Sequence, residues 1–292
     1  MNTLVNSLKN YFSLVKFSHT VFAMPFALIG YSLAVSKEEY EFNIRLFLLV
    51  ILCMIFARNA AMGFNRIADK RFDALNPRTS NREIPSGIIS TRAAVIFVMI
   101  NVIFFIITAG FINKLTLVLS PVALIIVLGY SLTKRITSLC HFVLGLGLSL
   151  APIGAYISVT GNFDIIPILF SFTVLTWVGG FDIIYALQDD DFDKANNLYS
   201  IPSATGRKRA LLISVIVHII SFLLVIAAGI ILKAGFLYWT GTVLFTSLLI
   251  YQHSIVKTDD LSKVNLAFGT TNGIAGILFA IFVIMDLFTG NF

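Results

Sequence analysis

Two short segments of the sequence concentrate acidic side chains at spacings suited to binding a divalent cation. Asn65, Asp69 and Asp73 are four residues apart, so in a helix their oxygens lie on one face. At about 100° per residue, Asp189 and Asp193 lie within about 20° of Asp182. Eight of the 15 Asp and Glu residues fall in these segments, namely Asp69, Asp73, Glu83, Asp182, Asp189, Asp190, Asp191 and Asp193.

Carboxylates held close together repel one another, so two such clusters need positive charge between them. Mg²⁺ prefers oxygen ligands and is usually held by one or two carboxylates plus the phosphates of a substrate. Two clusters that face each other could therefore hold a metal-bridged diphosphate. Cationic side chains interleaved with the clusters would neutralise the remaining phosphate oxygens; they are Arg66, Arg78, Arg82, Lys134 and Arg135.

The elements that must position these segments are membrane helices. Of the 292 residues, 58% are hydrophobic and only 12% are charged, with a mean hydropathy of +0.91. Soluble domains contain about 25% charged residues, so a soluble globular protein and a disordered chain are excluded. A span needs about 20 apolar residues, and nine such segments occur, near 18–36, 44–64, 93–113, 115–132, 139–159, 164–188, 210–232, 235–252 and 265–288. The sequence predicts an all-α, polytopic protein with nine transmembrane helices in one integral-membrane domain, 1–292.

The positive charges predict the orientation of the chain in the bilayer. Sixteen of the 21 Lys and Arg residues fall in the N-terminus and the loops on its side, and four on the other side. We therefore expect the N-terminus and both acidic segments on the cytoplasmic side and the C-terminus outside. The basic charge follows from this topology, so no nucleic-acid partner is expected. Without a transit peptide, we expect a multi-pass protein of a bacterial inner membrane in contact with the lipid bilayer.

The regions that follow the two acidic segments are alike. Glu83-Ile84-Pro85-Ser86-Gly87 follows the first segment, and Ser200-Ile201-Pro202-Ser203-Ala204 follows the second. This similarity indicates a weak internal repeat with halves of about 1–138 and 139–292, whose half-sites close on one cavity. The long polar loop after the second span is typical of a lid over a site.

The motifs resemble the signatures of a known family. Asn65-Arg66-x2-Asp69-x3-Asp73-x2-Asn76-Pro77-Arg78-Thr79-x2-Arg82-x2-Pro85-x-Gly87 resembles the first signature of the UbiA superfamily of intramembrane prenyltransferases. Asp182-x2-Tyr185-Ala186-x2-Asp189-x3-Asp193 resembles the second signature, and Tyr130-Ser131-x-Thr133-Lys134-Arg135 resembles a third segment of that family. The two long motifs are most similar to the 4-hydroxybenzoate polyprenyltransferase branch and its menaquinone-pathway relatives.

The resemblance implies nine helices around a central cavity and a Mg²⁺-dependent transfer reaction. A polyprenyl diphosphate would ionise, and an electron-rich carbon of an aromatic acid would attack the allylic cation, as in ubiquinone biosynthesis. The alternative acceptor is a dihydroxynaphthoate of menaquinone biosynthesis. By the family pattern, the metal ligands and catalytic carboxylates are Asp69, Asp73, Asp189 and Asp193, with Asn65 as a further ligand; Arg66, Lys134 and Arg135 contact the phosphates, and Arg78, Arg82, Asp182 and Tyr185 contribute to substrate binding.

Arg58 lies within a predicted span, where an ionisable residue indicates function. It precedes Asn65 by seven residues, as Asp182 precedes Asp189, so each lies two helical turns deeper on the face of its cluster. One hypothesis is that Arg58 binds the carboxylate of the aromatic acceptor. The alternative is a structural ion pair between Arg58 and Asp182.

Other polar residues are assigned structural or solvent-exposed roles. Asp191 points about 180° away from Asp182 and is expected in solvent. The four histidines, His19, His141, His218 and His253, have no metal-ligand spacing and are interpreted as packing or interfacial residues. Cys53 and Cys140 lie in or beside apolar runs and are expected to be reduced. A transporter is the rival class of function, although its charges would lie near the midplane rather than at one face.

Overall fold

The fold is entirely helical over the residues that the structure describes. The computed structural model describes residues 10–15 and 22–289, and no strand occurs among them. Residues 10–14 form a short helical turn. Twelve helices follow: α1 (Met24–Val35), α2 (Ile44–Ala68), α3 (Lys70–Leu75), α4 (Thr91–Ile112), α5 (Lys114–Thr133), α6 (Cys140–Thr160), α7 (Ile165–Ala186), α8 (Asp190–Ala195), α9 (Ile201–Thr205), α10 (Arg207–Ile231), α11 (Phe236–Ile255) and α12 (Asn272–Thr289).

Each of the nine predicted apolar segments overlaps one helix of 12 residues or more. Within 10–15 and 22–289, seven helical stretches are long and apolar enough to cross a membrane, and α1, with 12 residues, is shorter. The expected number of nine transmembrane helices is therefore not confirmed, whereas the polytopic all-α architecture is. The partition into two repeated halves stays a prediction.

Polar side chains begin several of these helices. Asn43, Ser90 and Asn113 each accept a hydrogen bond from a backbone N–H in the first turn of α2, α4 and α5, which satisfies a donor that the helix leaves unpaired. The Asn113 amide also donates to the carbonyl oxygens of Ile157 and Ser158 near the end of α6. The cap of α5 therefore also fixes α5 against α6.

Helix α7 lies at the centre of the fold and packs against α6 and α10. Its side chains Phe170, Trp177 and Phe181 are almost completely buried, whereas outward-facing side chains such as Ile125 on α5 and Ile250 on α11 are exposed. A surface of large apolar side chains is unfavourable in water and suits contact with lipid.

A glycine sets the distance between α6 and α7. A Cβ atom on Gly145 would lie 2.4 Å from the carbonyl oxygen of Leu175, so only glycine permits the two backbones to approach this closely. Gly145 follows His141 by one helical turn, and Leu175 precedes Asp182 by two. The close crossing therefore determines the packing of the face of α6 that carries His141 against the face of α7 that carries Asp182.

Candidate active site

The two acidic segments meet at one polar cavity of about 200 Å³. Helices α2 and α3 bring the first segment to this cavity, and the end of α7 with α8 brings the second. The end of α5 supplies Lys134 and Arg135. The predicted site residues that line the cavity are Asn65, Asp69, Asp73, Arg78, Arg82, Lys134, Arg135, Asp182, Tyr185, Asp189 and Asp193.

The first cluster lies where one helix ends and a short helix begins. Asp69 is the residue between α2 and α3, and its backbone N–H bonds to the carbonyl oxygen of Asn65. The Asn65 amide donates to Asp69 Oδ2 at 3.0 Å. Asp73, on α3, is buried, and its Oδ2 atom has no hydrogen-bond partner. The predicted four-residue spacing therefore places three side chains on one wall of the cavity, across an interrupted helix.

The second cluster also lies at a helix interruption. Helix α7 ends at Ala186, a 3₁₀ turn covers Leu187–Asp189, and α8 begins at Asp190. The tighter turn breaks the regular 100° register on which the sequence prediction relied. Asp182, Asp189 and Asp193 nevertheless all line the polar cavity.

The four aspartates that the family pattern assigns to the metal, Asp69, Asp73, Asp189 and Asp193, are each paired with one lysine or arginine. Lys134 Nζ lies 2.8 Å from Asp193 Oδ1, and Arg82 Nη1 lies 2.7 Å from Asp73 Oδ1. Arg135 lies 3.4 Å from Asp69 Oδ1, and Arg78 bonds to Asp189 through its Nε and Nη2 atoms. The four negative charges and four positive charges balance, so the site can hold many charges at low net charge.

The loop after α3 joins the first segment to the second. Arg78 Nε lies 3.1 Å from Asp189 Oδ1, and Arg78 Nη1 lies 2.7 Å from the Tyr185 hydroxyl. The Asn76 amide donates to Asp189 Oδ1 at 3.0 Å. These contacts hold the loop against α7 and the 3₁₀ turn; its role as a lid stays a prediction.

Burial and pairing shift the protonation equilibria at this face of the protein. Burial raises the pKa of Asp69, and the neighbouring carboxylate of Asp73 raises it further. Burial opposes the charge of Lys134, but Asp193 outweighs this effect and raises the lysine pKa. Burial likewise opposes the charge of Arg78, and the hydrogen bond to Asp189 outweighs it and raises the arginine pKa. Lys134 and Arg78 are therefore charged at neutral pH.

The polar cavity adjoins a second, mainly apolar cavity of about 550 Å³. The larger cavity extends along α2 from Arg66 to Val50, about 24 Å at 1.5 Å per residue, which is most of the thickness of a bilayer core. Six residues line both cavities: Asn65, Arg82, Tyr130, Leu144, Asp182 and Tyr185. These residues mark the boundary between the two cavities.

Arg58 and Arg66 line the larger cavity rather than the polar one. The position of Arg66 therefore differs from that of Lys134 and Arg135, with which the family pattern groups it. Arg58 Nη2 donates to the carbonyl oxygen of Val15 at 3.2 Å. The structure does not contain the alternative ion pair between Arg58 and Asp182, because Asp182 pairs with His141 instead, at 2.7 Å.

The remaining acidic residues of the two segments lie outside both cavities. Asp190 bonds to Arg207 at 2.8 and 2.9 Å. The Asp191 side chain is 84% exposed, in agreement with its predicted position in solvent. Glu83 is buried and accepts a hydrogen bond from Ser13. These three carboxylates therefore contribute to folding contacts rather than to the cavity walls.

Two residues of the site were missed by the sequence analysis. Asn76 belongs to the first motif, and that membership was the signal that could have marked it as a site residue, whereas its contact with Asp189 lies 113 residues away in the sequence. His141 was interpreted as a packing or interfacial residue, and that interpretation was incomplete because His141 bonds to a cavity-lining carboxylate. No local spacing indicated this pair, since 41 residues separate its members. His19 lies outside the described residues.

The carboxylate and amide oxygens of the polar cavity fit magnesium ions whose remaining ligands are the oxygens of a diphosphate. Among residues 10–15 and 22–289, no three His, Cys, Asp or Glu side chains are grouped closely enough to enclose an ion. Mg²⁺ rarely uses such enclosures and binds one or two carboxylates together with substrate phosphates. The buried, unpartnered Oδ2 atom of Asp73 is one available ligand of this kind. Four cationic side chains line the same cavity and can donate hydrogen bonds to the phosphate oxygens: Arg78, Arg82, Lys134 and Arg135.

Comparison with known proteins identifies the family. The UbiA prenyltransferase family matches residues 23–283. The 4-hydroxybenzoate octaprenyltransferase of Aliivibrio salmonicida is 31% identical over 229 residues, which cover 78% of this chain and 80% of that protein. The protein of the same name from Aliivibrio fischeri is 29% identical over 233 residues, covering 78% and 79%.

Solved structures show the same fold. A UbiA homolog from Aeropyrum pernix superposes with a TM-score of 0.83 and 31% identity, covering 92% of this chain and 98% of that one. A UbiA homolog from Archaeoglobus fulgidus, bound to DMAPP and Mg²⁺, superposes with a TM-score of 0.72 and 20% identity, covering 96% and 99%. Together with two aspartate motifs at one cavity, these matches show that the chain is a membrane-embedded enzyme that belongs to the UbiA prenyltransferase family.

Proposed function

We propose that this enzyme transfers a polyprenyl group from an allylic polyprenyl diphosphate to 4-hydroxybenzoate or a similar aromatic acid, with Mg²⁺, in quinone biosynthesis. One observation carries the proposal: a polar cavity with four carboxylate–cation pairs adjoins an apolar cavity that extends over most of the thickness of a bilayer core. The charged diphosphate of a polyprenyl diphosphate matches the polar cavity, and its apolar isoprenoid tail matches the larger cavity. The names of the curated relatives support 4-hydroxybenzoate as the acceptor.

The polar cavity would bind the diphosphate and assist its departure. Bound Mg²⁺ would neutralise the phosphate charge and make diphosphate a better leaving group; Asn65, Asp69, Asp73, Asp189 and Asp193 are its proposed ligands. Lys134, Arg78, Arg82 and Arg135 would donate hydrogen bonds to phosphate oxygens as the charge on the leaving group grows. Because their present partners are the same carboxylates, these cations are already in place before the substrate binds.

The apolar cavity would hold the isoprenoid and protect the reacting carbon. An allylic cation is quenched by water, so the reaction needs a dry environment. The boundary residues Tyr130, Leu144 and Tyr185 surround the point where the first carbon of the donor would lie. Tyr185 also packs against Phe268, with ring centres 4.1 Å apart and the ring planes tilted by 31°. Aromatic faces at this point would stabilise positive charge.

The acceptor would enter the larger cavity beneath the diphosphate. Arg58 lies two turns deeper than Asn65 on α2, about 10 Å further from the polar cavity, and it lines the larger cavity. The Arg58 guanidinium lines this apolar cavity, and its planar group of N–H donors matches the geometry of a carboxylate. We therefore propose that Arg58 binds the carboxylate of the aromatic acid. Arg66 lines the larger cavity next to Asn65, and its positive charge would offset the negative charge of the bound substrates.

Location at the bacterial inner membrane, with the active site on the cytoplasmic side, remains part of this proposal. It is supported by the charge asymmetry of the loops and by the gathering of both acidic segments at one end of the long helices. A carrier function is set aside, because the chain belongs to a family of prenyltransferases.

The proposal is tested by an assay of the purified protein in detergent. The mixture contains Mg²⁺, geranyl or a longer polyprenyl diphosphate, and either 4-hydroxybenzoate or one of two dihydroxynaphthoates. Asp69→Ala is assayed beside the wild type, with Asp191→Ala as the matched control from an exposed position. We expect a prenylated 4-hydroxybenzoate with the wild type and the control, and none with Asp69→Ala. Product with a dihydroxynaphthoate alone would move the enzyme to the menaquinone pathway, and no product with any acceptor would refute the proposal.

A further inference from the structure

A buried histidine and a carboxylate form a pair at the boundary between the two cavities. His141 Nδ1 lies 2.7 Å from Asp182 Oδ2, and the side chains are 2% and 21% exposed, respectively. Asp182 lines both cavities, so its exposed part faces the space where donor and acceptor would meet. The proposed reaction assigns roles to the metal ligands, the phosphate-binding cations and Arg58, but it assigns none to the pair of His141 and Asp182.

The protonation of His141 is fixed by its second ring nitrogen. The backbone N–H of Ile201, at the start of α9, donates to His141 Nε2 at 3.2 Å. A nitrogen that accepts a hydrogen bond carries no proton in the neutral ring, so the proton is on Nδ1 and is donated to Asp182. The pair therefore presents an oriented carboxylate whose Oδ1 atom makes no hydrogen bond with the described residues.

Asp182 is also separate from the proposed metal ligands. It lies on α7, one turn before the end of that helix, whereas Asp189 lies seven residues later in the 3₁₀ turn. Its ion-pair partner is a histidine, whereas each of the four carboxylates of the clusters pairs with a lysine or an arginine. With one oxygen held by a histidine and the other side of the carboxylate lining both cavities, Asp182 can accept a proton from a group that binds there.

We propose that Asp182 takes the proton of the acceptor's phenolic hydroxyl and that His141 positions Asp182 for this transfer. The inference rests on the proposed function and deepens it. An aromatic acid that meets Arg58 with its carboxylate and Asp182 with a hydroxyl is held at both ends. The pair would therefore select acceptors that carry a hydroxyl group opposite the acid.

The proton transfer activates the ring carbon that attacks the donor. The O–H bond breaks, Asp182 Oδ1 receives the proton, and the oxygen electron pair is delocalised to the neighbouring ring carbon. That carbon forms the new C–C bond with the first carbon of the prenyl group, whose C–O bond breaks as diphosphate leaves with the bonding electrons. The ring proton at the new bond then passes to the released diphosphate, and Asp182 returns its proton to the oxygen.

The test compares variants of the pair in the detergent-purified enzyme, with 4-hydroxybenzoate and with 3-fluoro-4-hydroxybenzoate, whose hydroxyl is more acidic. We expect Asp182→Asn to lower kcat by about 100-fold with 4-hydroxybenzoate, and by less with the fluorinated acid, which needs the base less. Binding of geranyl thiolodiphosphate with Mg²⁺, a donor that does not react, stays as in the wild type. The methyl ether, 4-methoxybenzoate, is a poor acceptor for every variant.

Two substitutions separate positioning from packing at His141. An asparagine amide can replace Nδ1 as the donor to Asp182, so we expect His141→Asn to keep most of the activity. His141→Leu removes the donor, and we expect kcat to fall by about tenfold with the same dependence on acceptor acidity as Asp182→Asn. His253→Asn, in a histidine that pairs with His218 away from both cavities, is the matched control.

The outcomes are distinguishable. Equal losses of kcat with the two acceptors would show a structural role for Asp182 and would overturn the inference, as would an unchanged kcat in Asp182→Asn. If the wild type prenylates 4-hydroxybenzoate and Asp182→Asn does so equally well, only the inference fails. If the wild type prenylates no hydroxylated aromatic acid, the proposed function fails, and the inference fails with it.

Discussion

Arg78 and Asp189 are 111 residues apart in the sequence and join the two aspartate motifs through paired hydrogen bonds. Arg78 belongs to the loop after the first motif, and Asp189 belongs to the 3₁₀ turn that carries the second. The same guanidinium donates to the Tyr185 hydroxyl at 2.7 Å. One side chain thus connects the loop, the turn and the boundary between the cavities.

The first prediction concerns the geometry of this guanidinium. Arg78→Lys keeps the charge but cannot make the paired contacts, because an ammonium lacks the planar arrangement of donors. Since a hydrogen bond to a charged group contributes about 1.5–3 kcal/mol, we expect kcat/KM for the polyprenyl diphosphate to fall by at least about tenfold. Steady-state kinetics at saturating acceptor measure the effect. A lysine variant as active as the wild type would show that charge alone suffices.

The second prediction separates the role of metal in catalysis from any role in folding. The four proposed metal-ligand aspartates, Asp69, Asp73, Asp189 and Asp193, each already have a lysine or arginine partner, so the folded protein does not depend on bound metal for charge balance. We expect removal of Mg²⁺ by EDTA to stop product formation and to leave the thermal unfolding midpoint nearly unchanged. Readdition of Mg²⁺ restores activity. A large fall in the midpoint on chelation would show that the metal also stabilises the fold.

The sequence was sufficient to predict the membrane architecture and the main wall of the polar site. Long apolar runs favour spanning helices, which gave the polytopic all-α architecture although not the number of spans. The four-residue spacing of Asn65, Asp69 and Asp73 predicted one wall of the cavity, and the three side chains line it although α2 ends at Ala68 and α3 begins at Lys70. The pairing of Asp189 with Arg78 could not be derived, because a helical register says nothing about contacts across 111 residues. Such contacts depend on the path of the loop.

His141 shows a second limit of the sequence analysis. A histidine in an apolar run is usually a packing residue, and its spacing to other polar residues gave no contrary indication. Its contact with Asp182 arises from the crossing of α6 and α7, which depends on the absence of a side chain at Gly145. The contact between His141 and Asp182 can therefore be identified only when the relative positions of α6 and α7 are known.

The third prediction follows from that crossing. In Gly145→Ala, the new Cβ atom would lie 2.4 Å from the Leu175 carbonyl oxygen, and because this is backbone the helices must move apart. We expect a loss of stability of about 1–3 kcal/mol, measured as a lower thermal unfolding midpoint in detergent, with reduced activity. Gly154→Ala on the same helix is the control, because its Cβ atom would meet no atom within 4 Å. Equal midpoints for the two variants would contradict the argument.

The fourth prediction tests the proposed contact of Arg58 with the acceptor. Arg58→Leu removes the proposed partner of the acceptor carboxylate. With 4-hydroxybenzoate as the acceptor, we expect the acceptor KM to rise by about tenfold or more, and the KM for the polyprenyl diphosphate to change far less. Arg45→Leu, at an exposed position in the first turn of the same helix, should change neither. An equal rise in both KM values would remove the assignment of Arg58 to the acceptor.

The fifth prediction concerns three side chains at the opposite end of the fold from the polar cavity. Lys37 Nζ lies 2.7 Å from Asp164 Oδ2 and 2.6 Å from the Tyr156 hydroxyl, which in turn donates to Asp164 at 3.0 Å. Burial acts to raise the pKa of Asp164, but the hydrogen bonds from Lys37 and Tyr156 outweigh it and hold the pKa below its usual range. These contacts join the end of α1 to α6 and to the start of α7.

A depressed carboxyl pKa gives this contact a definite dependence on pH. Its stabilisation is present above the ordinary pKa of an aspartate and is lost as the pH falls through the lower, folded-state value. Burial acts to lower the pKa of Lys37, but Asp164 and Tyr156 outweigh it and raise that pKa, so the lysine stays charged throughout this range. We expect Lys37→Met to lower the thermal unfolding midpoint at neutral pH, and the difference from the wild type to shrink in acid. Lys114→Met, at an exposed position, should show no such dependence, and a constant difference for Lys37→Met at all pH values would assign the effect to packing.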